Sequence, residues 1–178
     1  MNFSLIFPTR ERPKLLDNLL KSLDKTTSNK KAVEILIVRD RDDDTDIRSV
    51  LKKYPSLDTK LYTVDRSTNF SRDYYNFLAR QAKGKFIWAL NDDVEFKTKF
   101  WDVILNTELE LYLRDKPDRI VYCMTGDGLN NHNYCCFPIL SKETFECIGY
   151  FFNERYTTWC ADQDLANLFL KYLGGKRH

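Results

Sequence analysis

Two short apolar runs, 3–7 and 33–38, bracket a stretch in which Leu15, Leu16, Leu19, Leu20 and Leu23 recur at helical spacing behind Pro13. This order of strand, helix and strand then repeats. Ile47, Val50 and Leu51 mark a second helix, 61–64 a strand, 70–82 a helix and 86–90 another strand. Alternation of this kind commits the chain to a mostly parallel α/β sheet sandwiched by helices. It also fixes where a ligand binds, because open α/β sheets take ligands beyond the carboxyl ends of their strands.

The later part of the chain is read in the same way. Gly84, after Ala82 and Lys83, is expected to supply a left-handed helix stop before the strand at 86–90. Residues 100–113 read as helix, 120–124 and 135–140 as strands, and 126–133 as a polar loop. Ser141 is the natural cap of a short helix. The loop holding Tyr150, Phe151, Phe152, Tyr156 and Trp159 either packs inward or stacks on a ligand, and 162–173 reads as a last amphipathic helix ahead of Gly174 and Gly175.

At 178 residues the chain fits a single domain able to bury a core without disulfides or structural metal. Its 28 basic and 26 acidic residues are too balanced for a dedicated nucleic-acid surface, so no nucleic-acid partner is expected. Residues 1–7 are apolar but stop at Pro8, which gives neither a secretory signal nor a spanning helix of about 20 residues. A cytoplasmic location is the matching expectation. The five cysteines form no Cys-x-x-Cys pair and leave an odd number, a pattern of reduced structural thiols rather than a zinc site or disulfide framework.

Asn91-Asp92-Asp93 follows directly on the apolar run 86–90. Such residues are ordinary turn formers, since they hydrogen-bond their own backbone. At the carboxyl end of a buried strand, however, two adjacent carboxylates also make a seat for a hard dication holding phosphates, because such ions prefer oxygen ligands. A competing acidic run, Asp40, Asp42, Asp44 and Asp46, mimics a calcium loop. It fails as one, because Thr45 stands where that loop needs glycine and Leu51 where it needs the bidentate glutamate.

Five fragments in order resemble the GT-A-fold glycosyltransferases of the family 2 type. Phe3-Ser4-Leu5-Ile6-Phe7-Pro8-Thr9-Arg10 resembles the opening strand and nucleotide loop, and Glu34-Ile35-Leu36-Ile37-Val38-Arg39-Asp40 the strand ending in a base-reading aspartate. Residues 76–84 leading into Asn91-Asp92-Asp93 are similar to the approach to the family's metal motif. Phe145-Glu146-Cys147-Ile148-Gly149-Tyr150-Phe151 resembles its helix and turn, and Trp159-Cys160-Ala161-Asp162-Gln163-Asp164-Leu165 its late acidic motif.

The resemblance implies a Rossmann-like GT-A domain over 1–178, with a nucleotide-binding half at about 1–95 and an acceptor half at about 96–178. It implies transfer of a sugar, with inversion, from a nucleotide donor to a carbohydrate or other hydroxyl acceptor. Asp93 would ligate the divalent cation, Mn²⁺ or Mg²⁺, which neutralises the charge gathering on the departing phosphates. Pro8, Thr9, Arg10, Asp40, Arg72, Asn76 and Asp92 would surround the nucleotide. Asp40 would accept from a nucleobase imide, a contact that favours uracil and hence a UDP-linked donor. Asp162 would be the general base that takes the acceptor's proton, with Asp164 second to it. Trp159 and Tyr156 would offer aromatic faces to a sugar ring.

Departures from the family pattern accompany these likenesses. Asn91 replaces the first acidic residue and Val94 follows in place of a third carboxylate, which leaves one direct metal ligand. Tyr75 stands where an arginine is usual, Arg39 where an aspartate is, and Ala161 where a glutamate is. Two other readings compete. A nucleotidyltransferase shares the layout but wants a glycine-rich phosphate loop, and 8–13 contains no glycine. A non-catalytic nucleotide-sugar binding module would tolerate Asn91 and Ala161. Little chain follows Asp162 to build an acceptor lid, which leaves three readings open: a catalytic core lacking a C-terminal extension, a minimal enzyme, or a part requiring a partner chain.

Overall fold

The computed structural model of the chain describes residues 1–126 and 135–172. His132, His178, Leu173, the Gly174-Gly175 pair and nearly all of the expected 126–133 loop lie outside them. β1 (Phe3–Thr9) is followed by α1 (Pro13–Thr26), β2 (Val33–Asp40), α2 (Ile47–Lys52) and β3 (Asp58–Val64). A π-helical turn at Ser71–Asn76 runs into α3 (Phe77–Gln81), and β4 (Phe86–Ala89) leads to α4 (Trp101–Leu113). β5 (Tyr122–Cys123), β6 (Ile139–Ser141), α5 (Lys142–Ile148) and α6 (Ala161–Asn167) complete the order, and α6 continues as a wider coil over Leu168–Tyr172.

The six strands lie in the order β3-β2-β1-β4-β6-β5. β3, β2, β1 and β4 are parallel, while β6 runs antiparallel to both β4 and β5. β5 and β6 are shorter than the 120–124 and 135–140 runs suggested, because only Tyr122 and Cys123 find ladder partners on β6.

Strand alternation divides the core in two. Phe3, Leu5, Phe7, Ile35, Ile37, Phe86 and Trp88 face one way, onto Leu16, Leu19, Leu20 and Leu23 of α1 and Trp101, Leu109 and Leu113 of α4. Ile6, Leu36, Val38, Ile87 and Leu140 face the other way, onto Tyr74, Leu78, Phe151, Phe152, Leu165 and Phe169. The expected sandwich is thus the observed one, and each fully buried Leu, Ile or Phe contributes about 1.5–3 kcal/mol. Ser141 caps α5 as read, accepting from Thr144 N at 3.1 Å.

Gly84 corrects one expectation. Among the glycines of the described residues the one with left-handed geometry is Gly149, at φ 81°, and not Gly84. Gly84 is needed for close approach instead, since a Cβ there would sit 2.6 Å from Ser4 N and 2.7 Å from the Phe3 carbonyl carbon. Backbone meets backbone at this point, and no rotamer change could relieve the contact.

The same corner holds Glu34, a β2 carboxylate with no exposed surface. It accepts from Ser4 Oγ at 2.6 Å, Lys83 N at 2.6 Å and Lys60 Nζ at 2.6 Å, while Ser4 Oγ accepts from Gly84 N at 2.8 Å. One side chain therefore ties β1, β2, β3 and the turn into β4. Burial pushes its pKa up, but Lys60, Ser4 and the Lys83 N–H outweigh burial and leave it below the ordinary glutamate value of 4.5. A depressed carboxylate stabilises the fold above its unfolded pKa and loses that contribution as pH falls through its folded one. Glu34→Gln is expected to lower stability at pH 7 by about 3 kcal/mol, the scale for breaking a buried pair. In urea titrations across pH the deficit should shrink below about pH 4.5, where the wild-type carboxylate also protonates.

Candidate active site

The sheet brings the acidic turn to β1 by register. Phe3 pairs with Phe86 and Ile6 with Ala89, so counting on three residues sets Thr9 level with Asp92. Thr9 Oγ1 donates to Asp92 Oδ2 at 2.8 Å. The place is a topological switch point, since the chain builds β2 and β3 on one side of β1 and β4 on the other. Leu90 N donates to Ile6 O at 2.9 Å, and Phe96 packs against Trp88 and Trp101, which fixes both ends of the turn.

The two neighbouring carboxylates occupy different environments. Asp92 is buried, and Arg12 Nη1 lies 3.3 Å from its Oδ1. Burial raises its pKa, Thr9 and Arg12 oppose that rise, and Asp93 adds to it. Asp93 is exposed and takes no hydrogen bond from the described residues. Among the described residues no group of three or more His, Cys, Asp or Glu stands ready for a metal. An exposed Asp93 beside an already bonded Asp92 fits a hard dication held through one carboxylate, with phosphate and water oxygens filling its shell.

Asp40, at the end of β2, is buried with both oxygens engaged. Tyr74 Oη donates to Oδ1, and Arg10 Nη1 donates to Oδ2 at 3.0 Å. Burial and the bond to Asp40 raise the Tyr74 pKa to about 12. Arg10 is shared with Asp42 at 2.5 Å and Glu11 at 2.9 Å, so it forms the centre of an ion cluster over the β2 end. Pro8 lies in β1 opposite Val38.

Tyr75 gathers the remaining acids. Its hydroxyl lies 3.0 Å from Leu90 O, to which it donates, and 2.8 Å from Asn91 Oδ1. Burial drives its pKa far up, and Asp92, Asp93 and Asp162 each push it further. Asp92, Asp93 and Asp162 thus act on one phenol, although 69 residues separate the last two in sequence. Asp162 stands in the first turn of α6, half-buried, with Oδ1 accepting from Gln163 N at 2.9 Å. Cys160, at φ 67°, turns the chain into that helix. Asp164 accepts from Asn153 Nδ2 at 3.3 Å.

Two residues expected at the nucleotide have other work. Asn76 is fully buried, its Oδ1 accepting from Phe151 N at 2.8 Å and Phe152 N at 2.9 Å, and its Nδ2 donating to Phe152 O at 2.8 Å. It clamps the aromatic turn to the helical segment. Arg72 is exposed and forks onto its neighbour Asp73 at 2.8 and 2.9 Å. Phe151 and Phe152 are core residues, Tyr156 packs against the same core, and Trp159 is 85% exposed. Sequence reasoning missed Arg12, Tyr74 and Tyr122. Of these, Tyr122 has a buried hydroxyl with no hydrogen-bond partner among the described residues and a pKa raised by burial and, in part, by Asp162.

This layout is that of a GT-A glycosyltransferase domain, and comparison with known proteins agrees. The glycosyl transferase family 2 model matches residues 4–110, and the chain belongs to that family. Among solved structures, S. aureus TarS 1-349 superimposes with a TM-score of 0.72 at 19% identity, over 92% of this chain and 53% of that one. TarS 1-349 in complex with UDP-GlcNAc superimposes at 0.71 and 19% identity, with coverage of 92% and 51%. The mannosyltransferase PcManGT from Pyrobaculum calidifontis, in complex with GDP-Man and Mn²⁺, matches at 0.72 and 16% identity, over 98% of this chain and 53% of that one. At these identities the likeness is one of fold, and the chain spans about half the length of these structures. No curated protein matches it. Among the described residues no helix is long and apolar enough to cross a membrane.

The clamp and ligand roles of Asn76 separate cleanly by experiment. Asn76→Ala is expected to cost about 2 kcal/mol in denaturant titrations, because two backbone N–H groups lose their acceptor inside the core. Nucleotide affinity of the folded variant, read by calorimetry, should stay within about twofold of wild type.

Proposed function

We propose that the chain is the catalytic domain of a metal-assisted glycosyltransferase that moves a sugar from a nucleoside-diphosphate donor, preferentially UDP-linked, to a hydroxyl acceptor with inversion. The observation that carries this reading is the acidic turn at the switch point of the sheet, where Thr9 Oγ1 holds buried Asp92 at 2.8 Å and leaves Asp93 exposed beside it. Donor-holding carboxylates and a separate half-buried carboxylate at the start of α6 are what a single displacement at a sugar carbon requires.

Asp93 would hold the dication, which neutralises charge on the departing diphosphate when bound. Thr9 orients Asp92 toward the nucleoside, and the Arg10–Asp40–Tyr74 cluster frames the base. Asp162 then takes the acceptor proton as the oxygen bonds to the anomeric carbon and the carbon–phosphate-oxygen bond breaks on the opposite side. Beside its bonds to Tyr74 and Arg10, each Asp40 oxygen keeps a further lone pair, and acceptor capacity of this kind supports a base with an imide donor such as uracil. UDP and UDP-GlcNAc in TarS, and GDP-Man with Mn²⁺ in PcManGT, support a nucleotide-sugar donor and a cation, and they leave uracil as the preference argued from Asp40.

Thermal melts of the purified chain should rise with UDP plus Mn²⁺ more than with either alone, because a ligand selective for the native state stabilises it. Asp93→Ala should abolish the Mn²⁺-dependent part. Slow release of UDP from UDP-sugars needs no acceptor beyond water, so it reads turnover directly. Asp162→Asn is expected to reduce that release by about 10²- to 10⁴-fold while leaving UDP binding intact. Binding without any release in the wild type would instead identify a nucleotide-sugar binding module.

A further inference from the structure

Asp92 is 4% exposed, and the cation that balances it comes from outside the core. Arg12 stands at the entrance of α1 with 57% of its side chain exposed, and its Nη1 lies 3.3 Å from Asp92 Oδ1. That distance is long for a charge-assisted hydrogen bond, which is ordinarily about 2.7–2.9 Å. The remaining guanidinium donors have no partner among the described residues.

Backbone geometry explains why two nearby arginines behave differently. Glu11 adopts φ 54°, a left-handed conformation that non-glycine residues disfavour, with its N–H held 3.1 Å from Asp43 Oδ2. This turn sends Arg10 toward the end of β2 and Arg12 toward the end of β4. Arg10 is engaged by Asp40, Asp42 and Glu11. Arg12 has one weak contact and spare donors, on the residue adjoining exposed Asp93.

We propose that Arg12 is a phosphate-binding residue, a counter-charge carried by the protein that balances Asp92 in the free state and turns its fork onto the donor's diphosphate when nucleotide is seated. The inference rests on the donor-site reading above. A guanidinium presents paired N–H donors that match two phosphate oxygens, and its charge does not depend on pH in the working range. Arg12 and a dication at Asp93 repel each other directly, yet each attracts the same diphosphate. Their relation therefore changes sign with nucleotide: Arg12 opposes the metal when it binds alone and assists it when a diphosphate lies between them.

Titration calorimetry of the full chain tests this with Mn²⁺ alone and with UDP at saturating Mn²⁺. In Arg12→Ala, UDP is expected to bind about tenfold more weakly, the scale of one lost charge-assisted contact. Mn²⁺ alone should bind at least as tightly as to wild type. Arg12→Lys keeps Asp92 balanced but lacks the fork, so it guards against a folding defect and is expected to lose about threefold in UDP affinity. UDP affinity within about twofold of wild type in both variants overturns the proposal. So does a parallel loss of Mn²⁺ binding in Arg12→Ala, which would make Arg12 a support for the turn. A wild-type chain that binds neither UDP nor GDP with Mn²⁺ overturns the donor-site reading itself, and this inference with it.

Discussion

Glu34 is a buried charge, and the rest of the structure depends on where it sits. A carboxylate in the interior is tolerated only when donors surround it, and here the donors come from β1, β3 and the backbone entering β4. Each donor fixes the height of its own segment relative to β2. Register then carries that height along the sheet, from the Phe3 and Phe86 pair to the Thr9 and Asp92 level at the opposite end. A slip of one residue would turn every side chain of a strand to the wrong face, burying the polar positions and separating Thr9 from Asp92. The close contact of Gly84 with Ser4 secures the same corner sterically. The chemistry at one end of the sheet is thus held in place by electrostatics at the other.

At the working end, the turn after β4 divides two like groups into two roles. Asp92 is held back by Thr9, while Asp93 is exposed. Burial raises the pKa of Asp92, and the charge of Asp93 adds to that rise. Thr9 and Arg12 offset it, allowing Asp92 to be a fixed acceptor while Asp93 remains open to a ligand. Tyr75 closes the arrangement. Burial, with Asp92, Asp93 and Asp162 adding to it, pushes the pKa of this phenol far up, and its hydroxyl lies within hydrogen-bond distance of Leu90 O and Asn91 Oδ1.

Much of this was legible in the sequence, for reasons that differ by residue. The strand and helix alternation and the acidic pair at a strand end are local patterns, and locality is what a sequence displays. The capping role of Ser141 was equally local. Glu34 and Arg12 were not legible, because their partners stand 26 to 80 residues away and nothing in their neighbourhood marks them. Asn76 sits in the motif that suggested a ligand, but its amide meets the turn at Phe151 and Phe152, a contact across 75 residues that only the fold creates. Gly84 was singled out correctly and explained wrongly: a glycine beside a helix end suggests a left-handed stop, and the true demand comes from a strand 80 residues earlier. Arg72 forks onto its immediate neighbour Asp73, a contact between adjacent surface residues.

The sum of charges at the β1–β4 crevice sets what can enter. Asp92, Asp93 and Asp162 outnumber the single guanidinium of Arg12 there, while Arg10 is consumed by its own acidic partners. On the proposed reading, a diphosphate approaching alone would meet net repulsion, while a cation would be drawn by the excess of carboxylates and opposed only by Arg12. Each is better accommodated once the other is present, because opposite charges a few ångströms apart in a partly desolvated cleft offset one another far more strongly than they would in water. On the proposed reading, the layout of the fold couples nucleotide and cation binding. That coupling would need no second backbone state, only the excess of carboxylates over the guanidinium of Arg12.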